Sequence, residues 1–328
     1  MKPTVGIPRA LLYYEFFPLW NVFLKSLGVS TCVSPCTNKR ILANGLKNSV
    51  DEACLPIKLA MGHVIELCGK VDYIFLPRIV SVAPREYICP KFLGFPDMVR
   101  NAVPNVPKLI DANIDLYHPR SKAQKNLHEI GKLFCSNPMR INRAHKTACH
   151  SLISFKKLLQ KNILPEEAME IMACKESAFK NKHCNYDSNG PTIALIGHSY
   201  NIYDQHISMD IIGRLKKLGV NVVTAETLPE ETIRQGATIL PKKLFWTLGQ
   251  QSIGSAIHFL SDPAISGIIL VSSFGCGPDA LTGELIERYI HGTRPIPFLK
   301  LTLDEHTGEA GVITRLEAFL DMVYWKAG

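Results

Sequence analysis

Three cysteines among the ten in this 328-residue chain are the first candidates for chemistry, each with glycine or proline within two residues and in a segment typical of a loop. They are Cys54 in DEACLP, Cys89 in YICPK and Cys276 in FGCGPD. Glycine lets backbone N–H groups approach an anion closely, and proline fixes the turn. Such surroundings suit thiolates of an iron–sulfur cluster, whose reduction potential depends on hydrogen bonds to sulfur. Because the chain has no C-x-x-C motif and the gaps fit no local ferredoxin or zinc pattern, the residues alone leave both a shared metal site and simple packing open.

The other seven cysteines have weaker cases for chemistry. Packing is the better interpretation for Cys32, in an apolar strand, and for Cys68, in a helical stretch. Cys36 follows Cys32 by four residues, without further ligands at metal-binding spacing. The remaining four fall in a segment that also carries three histidines, but their spacing matches no zinc template. These residues are Cys135, Cys149, Cys174, Cys184, His145, His150 and His183.

Two histidines follow glycine at places where they could take part in chemistry. His198, in GHSYN, stands between a predicted strand and helix, where it could act as an acid, a base or a hydrogen-bond donor to substrate. His63 has the same interpretation, and for both the alternative is a histidine satisfied by its neighbours. The chain has no G-x-S-x-G elbow, no phosphate-binding G-x-x-x-x-G-K-[ST] loop and no G-x-G-x-x-G opening a helix. Any ATP or NAD chemistry is therefore expected to belong to another chain.

Length and composition favour a well-cored protein without structural disulfides. With 46% hydrophobic and 20% charged residues, the chain is long enough for about two domains. The N-terminal residues lack the apolar core of a secretory signal, and the longest apolar stretch, 265–271, is much shorter than a membrane span. We therefore expect a cytoplasmic protein, in which thiols stay reduced and no membrane is a partner.

The net charge of +8 is unevenly spread. Residues 1–111 contain 13 basic residues (Lys and Arg) and 8 acidic ones (Asp and Glu), residues 112–190 contain 13 and 7, and residues 191–328 contain 11 and 14. The basic part is interpreted either as a surface for an anionic substrate or acidic partner, or as a solvated face. Nucleic acid is not expected as a partner, because no dense Lys/Arg run with interleaved aromatics is present.

Near-continuous apolar strands alternating with helices predict parallel sheets covered on both faces. The predicted fold is α/β, with two Rossmann-like parallel-sheet domains and a helical insert between them. The predicted domains are residues 1–111, a helical insert and linker over 112–190, and residues 191–328 with a terminal helix. Cys89 is placed in the loop after a strand predicted over 71–77, and Cys276 directly after the strand at 265–271. Ligands gather at the carboxyl ends of such strands, so the three thiolates would converge if the two domains face each other.

Seven separate motifs give the chain a specific resemblance to a known family. They are GIPRAL (6–11), DEACLP (51–56), PRIVS (77–81), YICPKF (87–92), GHSYN (197–201), FGCGPD (274–279) and LDEHTGEAG (303–311). Together they resemble the acyl-CoA dehydratase activase-related proteins. This group belongs to the 2-hydroxyacyl-CoA dehydratase and benzoyl-CoA reductase superfamily, which also includes the double-cubane cluster proteins.

The resemblance implies a [4Fe–4S] cluster bound by Cys54, Cys89 and Cys276, with one iron open to substrate. A double-cubane [8Fe–9S] cluster would need six thiolates, and hence two chains sharing a site. An ATP-dependent iron–sulfur activase would donate a low-potential electron for radical dehydration or reduction of an acyl-CoA or other small substrate. The partners implied are this activase and a second chain in a homo- or heterodimer. The alternative is a non-catalytic iron–sulfur electron-transfer or accessory partner of the activase.

Overall fold

A computed structural model describes residues 2–118, 121–173 and 190–327. The chain divides into two compact units, one of residues 1–156 with 245–247 and the other of residues 157–244 with 248–328. Each unit is built around its own parallel β-sheet. The domain boundaries at residues 111 and 190 stay predictions.

The first unit contains a four-stranded sheet in the order β2-β1-β3-β5, with every strand pair parallel. A second, two-stranded sheet pairs β4 with β6. The elements are β1 (Thr4–Ile7), α1 (Tyr13–Ser26), β2 (Ser30–Val33), α2 (Lys39–Lys47), α3 (Leu55–Leu67), β3 (Tyr73–Phe75), β4 (Arg78–Ser81), α4 (Pro90–Ala102), β5 (Lys108–Ile110), β6 (Asn113–Asp115), α5 (Ser121–Lys132) and α6 (Pro138–Leu159).

The second unit contains a four-stranded parallel sheet in the order β10-β9-β7-β8. Its elements are α7 (Pro165–Ala173), β7 (Thr192–Gly197), α8 (Ser199–Ile202), α9 (Ile211–Lys217), β8 (Asn221–Thr224), α10 (Glu230–Ala237), α11 (Thr247–Ser261), β9 (Ile265–Ser273), α12 (Gly277–Thr293), β10 (Phe298–Leu303) and α13 (Glu309–Ala327). Residues 193–196 of β7 are fully buried, as expected of a central strand covered on both faces.

The two main sheets have the same strand order. When the strands of each sheet are numbered in chain order, both sheets have the order 2-1-3-4. The first strand lies between the second and the third, and the fourth lies at the edge beside the third. This is a doubly wound arrangement, with its topological switch point between the first and third strands. The predicted α/β class with two Rossmann-like parallel sheets is therefore confirmed.

Several local predictions differ from the structure. The strand predicted over 71–77 is shorter, and β4 lies between it and Cys89, so Cys89 follows β4 and not that strand directly. The pattern also missed β6 and α10, because three- or four-residue strands and an eight-residue polar helix carry little periodicity. The sequence pattern predicts a helix running through Ile41, Leu46 and Val50, but α2 ends at Lys47, and Val50 is 61% exposed. In the predicted helix 165–180, residues beyond 173 lie outside the described part of the chain.

A pair of helices joins the second strand to the third in each unit, and glycines allow the two helices to touch. In the first unit, a Cβ at Gly62 of α3 would lie 2.0 Å from the carbonyl oxygen of Ile41 in α2. In the second, a Cβ at Gly254 of α11 would lie 2.0 Å from the carbonyl oxygen of Ile233 in α10. Since a backbone oxygen cannot rotate away as a side chain can, both positions require glycine.

The sequence favours either Thr37 or Asn38 as the cap of α2, and in the structure Asn38 takes this position. Its side-chain oxygen accepts hydrogen bonds from the backbone N–H groups of Arg40 (3.0 Å) and Ile41 (3.1 Å). Asn38→Ala removes both acceptors and is expected to lower the free energy of unfolding by about 1 kcal/mol. Urea denaturation of the variant measures this loss. Asn38→Asp, which retains the accepting oxygen, is the matched control, and a loss of equal size in both variants would contradict the capping role.

Among the described residues, no helix combines the length and the apolar character needed to cross a membrane.

Candidate functional site

The three cysteines singled out by the sequence share one structural position. Each is the residue immediately before a helix: Cys54 before α3, Cys89 before α4 and Cys276 before α12. Each helix has proline at its first or second position. Within the described part of the chain, none of the three side chains makes a capping hydrogen bond to its own helix. Each of the three cysteines therefore stands at the end of a helix where the backbone N–H groups have no partner inside the helix and the dipole is positive.

Cys54 and Cys89 belong to the first unit, and Cys276 belongs to the second. Cys89 and Cys276 occupy equivalent places, because α4 and α12 are each the helix that leads to the fourth strand of the main sheet. Cys54 immediately precedes α3, the second helix of the connection between the second and third strands. All three are half-buried thiols. Their convergence on one cluster stays a prediction.

Cys276 has two ligand-type neighbours within the second unit. The imidazole Nε2 of His198 lies 2.7 Å from Oδ1 of Asp279. The donor atoms of His198, Cys276 and Asp279 all lie within 4.8 Å of one another. The side chains of His198 and Asp279 are 4% and 9% exposed. The second unit thus places an imidazole, a thiol and a carboxylate in one cluster.

Sheet topology explains why these residues meet. His198 follows the last residue of β7, and Cys276 lies three residues beyond the end of β9. These strands are neighbours and run parallel, so their carboxyl ends lie together at the switch point of the sheet. Asp279 lies in the first turn of α12, where the helix dipole favours a carboxylate. The cluster therefore lies at the edge where doubly wound sheets bind ligands.

Buried polar groups support this edge of the sheet. The hydroxyl of Ser273 donates to Oδ1 of Asn201 at 2.8 Å, which ties the end of β9 to α8. Three buried side-chain atoms of the unit have no hydrogen-bond partner in the described part of the chain: Nδ2 of Asn201, Nε2 of Gln250 and Oδ2 of Asp279. Since a buried polar atom without a partner is costly, each is a place where a ligand or ion would gain an interaction.

A second carboxyl group lies at the end of β8. The hydroxyl of Tyr203 donates to Oε2 of Glu226 at 2.7 Å, and Nε2 of Gln251 lies 3.3 Å from Oε1. Burial raises the pKa of Glu226, while the hydrogen bond from Tyr203 and the charge of His198 partly oppose this rise. The neutral acid is therefore favoured at pH values above the usual range for glutamate.

His63 lies in different surroundings. It is fully buried in α3 of the first unit, where Nδ1 bonds to the hydroxyl of Ser34 and Nε2 to that of Thr37, both at 2.9 Å. Burial and, to a smaller extent, the nearby charge of Arg9 lower the pKa of His63 to about 4, and the charge of Glu66 opposes them only in part. Because both ring nitrogens are engaged and the ring stays neutral, the geometry favours the interpretation of a histidine satisfied by its neighbours.

The other described cysteines do not form a comparable cluster with two further ligands. Sγ of Cys149 lies 3.3 Å from Nε2 of His145, but burial raises the pKa of the thiol and lowers that of the imidazole, which favours a neutral pair. Cys36 accepts a hydrogen bond from the guanidinium of Arg9 at 2.9 Å. Three candidates of the helical segment, Cys174, His183 and Cys184, lie outside the described residues.

A separate cavity of about 370 Å³ lies in the second unit beside Tyr203. Its volume is in the range of small-molecule sites. Its lining includes four carboxylates and a single lysine, which are Glu166, Glu167, Glu170, Asp210 and Lys216. This lining disfavours an anionic ligand such as the phosphates of CoA.

Sequence reasoning missed Asp279 and Glu226. Asp279 stands in the Cys276 motif directly after Pro278, and proline followed by an acidic residue is a signal for the first turn of a helix, which the sequence reasoning did not use. Glu226 lies two residues beyond the end of β8 and three beyond the strand predicted over 220–223, so the rule that ligands gather at strand ends applied to it as well.

Two doubly wound parallel sheets, the second of which has a thiol, an imidazole and a carboxylate at the carboxyl ends of its strands, define an α/β protein suited to bind a ligand or metal there. Residues 4–228 match the model of the CoA enzyme activase uncharacterised domain, and the chain belongs to that family. The match contains Cys54, Cys89 and His198, while Cys276 and Asp279 lie beyond it. None of the curated proteins matches the chain. The activase-related part of the resemblance is thereby established.

Proposed function

We propose that this chain is the cluster-binding component of an activase-driven CoA enzyme system. It binds a [4Fe–4S] cluster through Cys54, Cys89 and Cys276 and receives low-potential electrons from an ATP-dependent activase. The electrons serve radical dehydration or reduction of an acyl-CoA or another small substrate. The observation that carries the proposal is the common position of the three thiols, each directly before the first residue of a helix.

The donor set fits such a cluster. Thiolates are its usual ligands, and N–H groups directed at the sulfurs tune its reduction potential. The first turn of a helix supplies N–H groups that have no partner inside the helix. Proline at the first or second position occupies a place where no intrahelical hydrogen bond is lost. Three cysteines in this setting match a cubane that leaves one iron open.

When bound, the cluster supplies the one-electron chemistry, and the protein's own residues hold and orient the reactants. Asp279 accepts a hydrogen bond from His198, which keeps the imidazole in one orientation beside Cys276. In that position His198 is suited to hydrogen-bond a substrate oxygen. The basic excess of residues 1–190 offers a surface for CoA phosphates or for the activase.

Iron and sulfide counting after anaerobic reconstitution tests this proposal. About four irons and four labile sulfides per chain are expected. The triple variant Cys54→Ser/Cys89→Ser/Cys276→Ser is expected to lose nearly all of them. A matched triple variant, Cys32→Ser/Cys68→Ser/Cys149→Ser, changes the same number of half-buried thiols and is expected to retain the cluster. Equal iron content in the two triple variants would refute the ligand assignment.

An accessory electron carrier is the second candidate, because the description of the matched family mentions a CoA enzyme activase and no dehydratase. Both candidates bind a cluster and accept an electron from an activase with ATP. They differ in the response to substrate, which changes the electron paramagnetic resonance signal of a catalytic cluster and leaves that of a carrier unchanged. Spectra of the activase-reduced protein with and without acyl-CoA esters therefore separate the two.

A further inference from the structure

We propose that the second unit contains a binding site for a single divalent metal ion of the zinc or ferrous type, with His198, Cys276 and Asp279 as its ligands. An imidazole nitrogen, a thiolate sulfur and a carboxylate oxygen form a mixed donor set that suits ions of this borderline class. A set of thiolates alone is the usual preference of a cubane cluster. The site thus goes beyond the three-cysteine cluster of the proposed function.

The distances among the donors fit one ion. All three donor atoms lie within 4.8 Å of one another. With metal–ligand bonds of about 2.0 to 2.3 Å, the ligands of one tetrahedral ion lie about 3.5 Å apart, so small side-chain rotations bring these donors into place. In a cubane each thiolate binds a different iron, which holds the terminal ligands further apart. His198 and Asp279 are therefore placed to share an ion with Cys276.

A buried carboxylate oxygen supplies independent support. Oδ2 of Asp279 is buried and has no hydrogen-bond partner in the described part of the chain. Oδ1 of the same carboxylate lies 2.7 Å from Nε2 of His198, an arrangement in which a proton is shared. A metal ion would replace that proton, since binding requires a deprotonated imidazole nitrogen and a thiolate. It would also give the buried Oδ2 of Asp279 an interaction partner.

The local fold favours this occupant. Cys276 and Asp279 stand at the start of α12, whose N-terminal dipole stabilises both a thiolate and a carboxylate. Cys276 is half-buried while the other two ligands are buried, so the ion is approached from the sulfur side. No fourth side chain joins the group within the described residues, which leaves one tetrahedral position for water or a ligand.

The ion and the proposed cluster both use Cys276, so each is expected to exclude the other. Zinc-loaded protein is accordingly expected to take up less iron during reconstitution. His198→Gln and Asp279→Asn remove ligands of the ion and leave all three cluster thiolates in place, so these variants are expected to bind the cluster normally. Failure of either proposal can thus be recognised separately.

Titration of the metal-free protein with Co²⁺ under anaerobic, reducing conditions tests the ion site. One ion per chain is expected, with a thiolate-to-cobalt charge-transfer band that disappears in Cys276→Ser. His198→Gln and Asp279→Asn are each expected to weaken binding at least about tenfold. Displacement of the cobalt by one equivalent of Zn²⁺ reports the same site. The double variant Cys54→Ser/Cys89→Ser and the variant Cys149→Ser are controls expected to bind Co²⁺ unchanged.

Two outcomes would overturn the assignment. A charge-transfer band that persists in Cys276→Ser would place the ion elsewhere, and one that disappears in Cys54→Ser/Cys89→Ser would assign it to the cluster thiolates. Far-UV circular dichroism confirms folding of each variant. Should Cys276→Ser fold poorly, Asp279→Asn provides the second test, because it preserves side-chain size, and unchanged affinity in it would equally refute the site.

Discussion

Gly62→Ala is expected to lower the free energy of unfolding of the first unit by about 3 kcal/mol, among the largest effects of adding a methyl group. The added Cβ would lie 2.0 Å from the carbonyl oxygen of Ile41 and 3.0 Å from its Cγ2. Ile41 is fully buried in α2, so its backbone cannot move without displacing the core. On the facing helix, α2, a Cβ added at Gly45 would lie 1.9 Å from the carbonyl oxygen of Lys58 in α3. The two helices therefore approach through glycine on both sides.

Urea denaturation followed by tryptophan fluorescence measures this effect in the first unit. Trp20 is buried there and packs on the ring of Phe75 at 5.2 Å between centroids. The matched control is Gly94→Ala in α4, where an added Cβ would meet nothing within 4 Å. Since alanine is the better helix former, this control is expected to raise stability by about 1 kcal/mol. Equal stability of the two alanine variants would contradict the close helix contact.

The equivalent change in the second unit, Gly254→Ala, is expected to act in the same way. An added Cβ would lie 2.0 Å from the carbonyl oxygen of Ile233. Because a chain of two units need not unfold in one step, each variant is expected to shift the transition of its own unit.

The second large effect concerns His63. Its titration is expected to lower the free energy of unfolding by about 3 kcal/mol as the pH falls from 6.5 to 4. Its pKa is lowered from 6.5 to about 4 in the folded protein by burial and by the charge of Arg9. Between pH 6.5 and 4, His63 is protonated in the unfolded chain and stays neutral in the folded protein, so lowering the pH favours the unfolded state. The stability contributed by the neutral ring is therefore full above pH 6.5 and lost as the pH falls towards 4.

His63→Gln removes this contribution while leaving an amide that can hydrogen-bond to the hydroxyls of Ser34 and Thr37. Carboxylates also contribute to acid unfolding, so the informative quantity is the difference between parent and variant across the pH range. That difference is expected to shrink steadily from pH 6.5 to 4. His258→Gln, the same change at a half-buried histidine of α11, is the matched control for the substitution itself. A His63→Gln variant with the parental pH dependence would contradict the shifted pKa.

The predictable part of the fold rests on short stretches of sequence. The apolar run at 265–271 is recognisable as a buried strand because a parallel strand covered on both faces needs no polar alternation. Asn38 is recognisable as a cap because its side chain bonds to residues only two and three positions away. Cys89 and Cys276 could likewise be placed in loops that follow strands, and Cys54 in a connection between two helices. Such features depend on neighbouring residues, and the sequence contains all of them.

What the sequence determined by itself was the α/β class and the chemistry-bearing residue types at the strand ends. Only the tertiary structure decided that His198 pairs with Asp279, 81 positions further along the chain, and that Gly62 must admit a backbone oxygen. It also decided that His63 is enclosed by two hydroxyls, while His198, which also follows a glycine, joins a thiol and a carboxylate. The physical reason is that the order of strands in a sheet and the crossing of helices bring together residues that are far apart in the chain. The periodicity of a short segment does not predict which distant residues will be in contact.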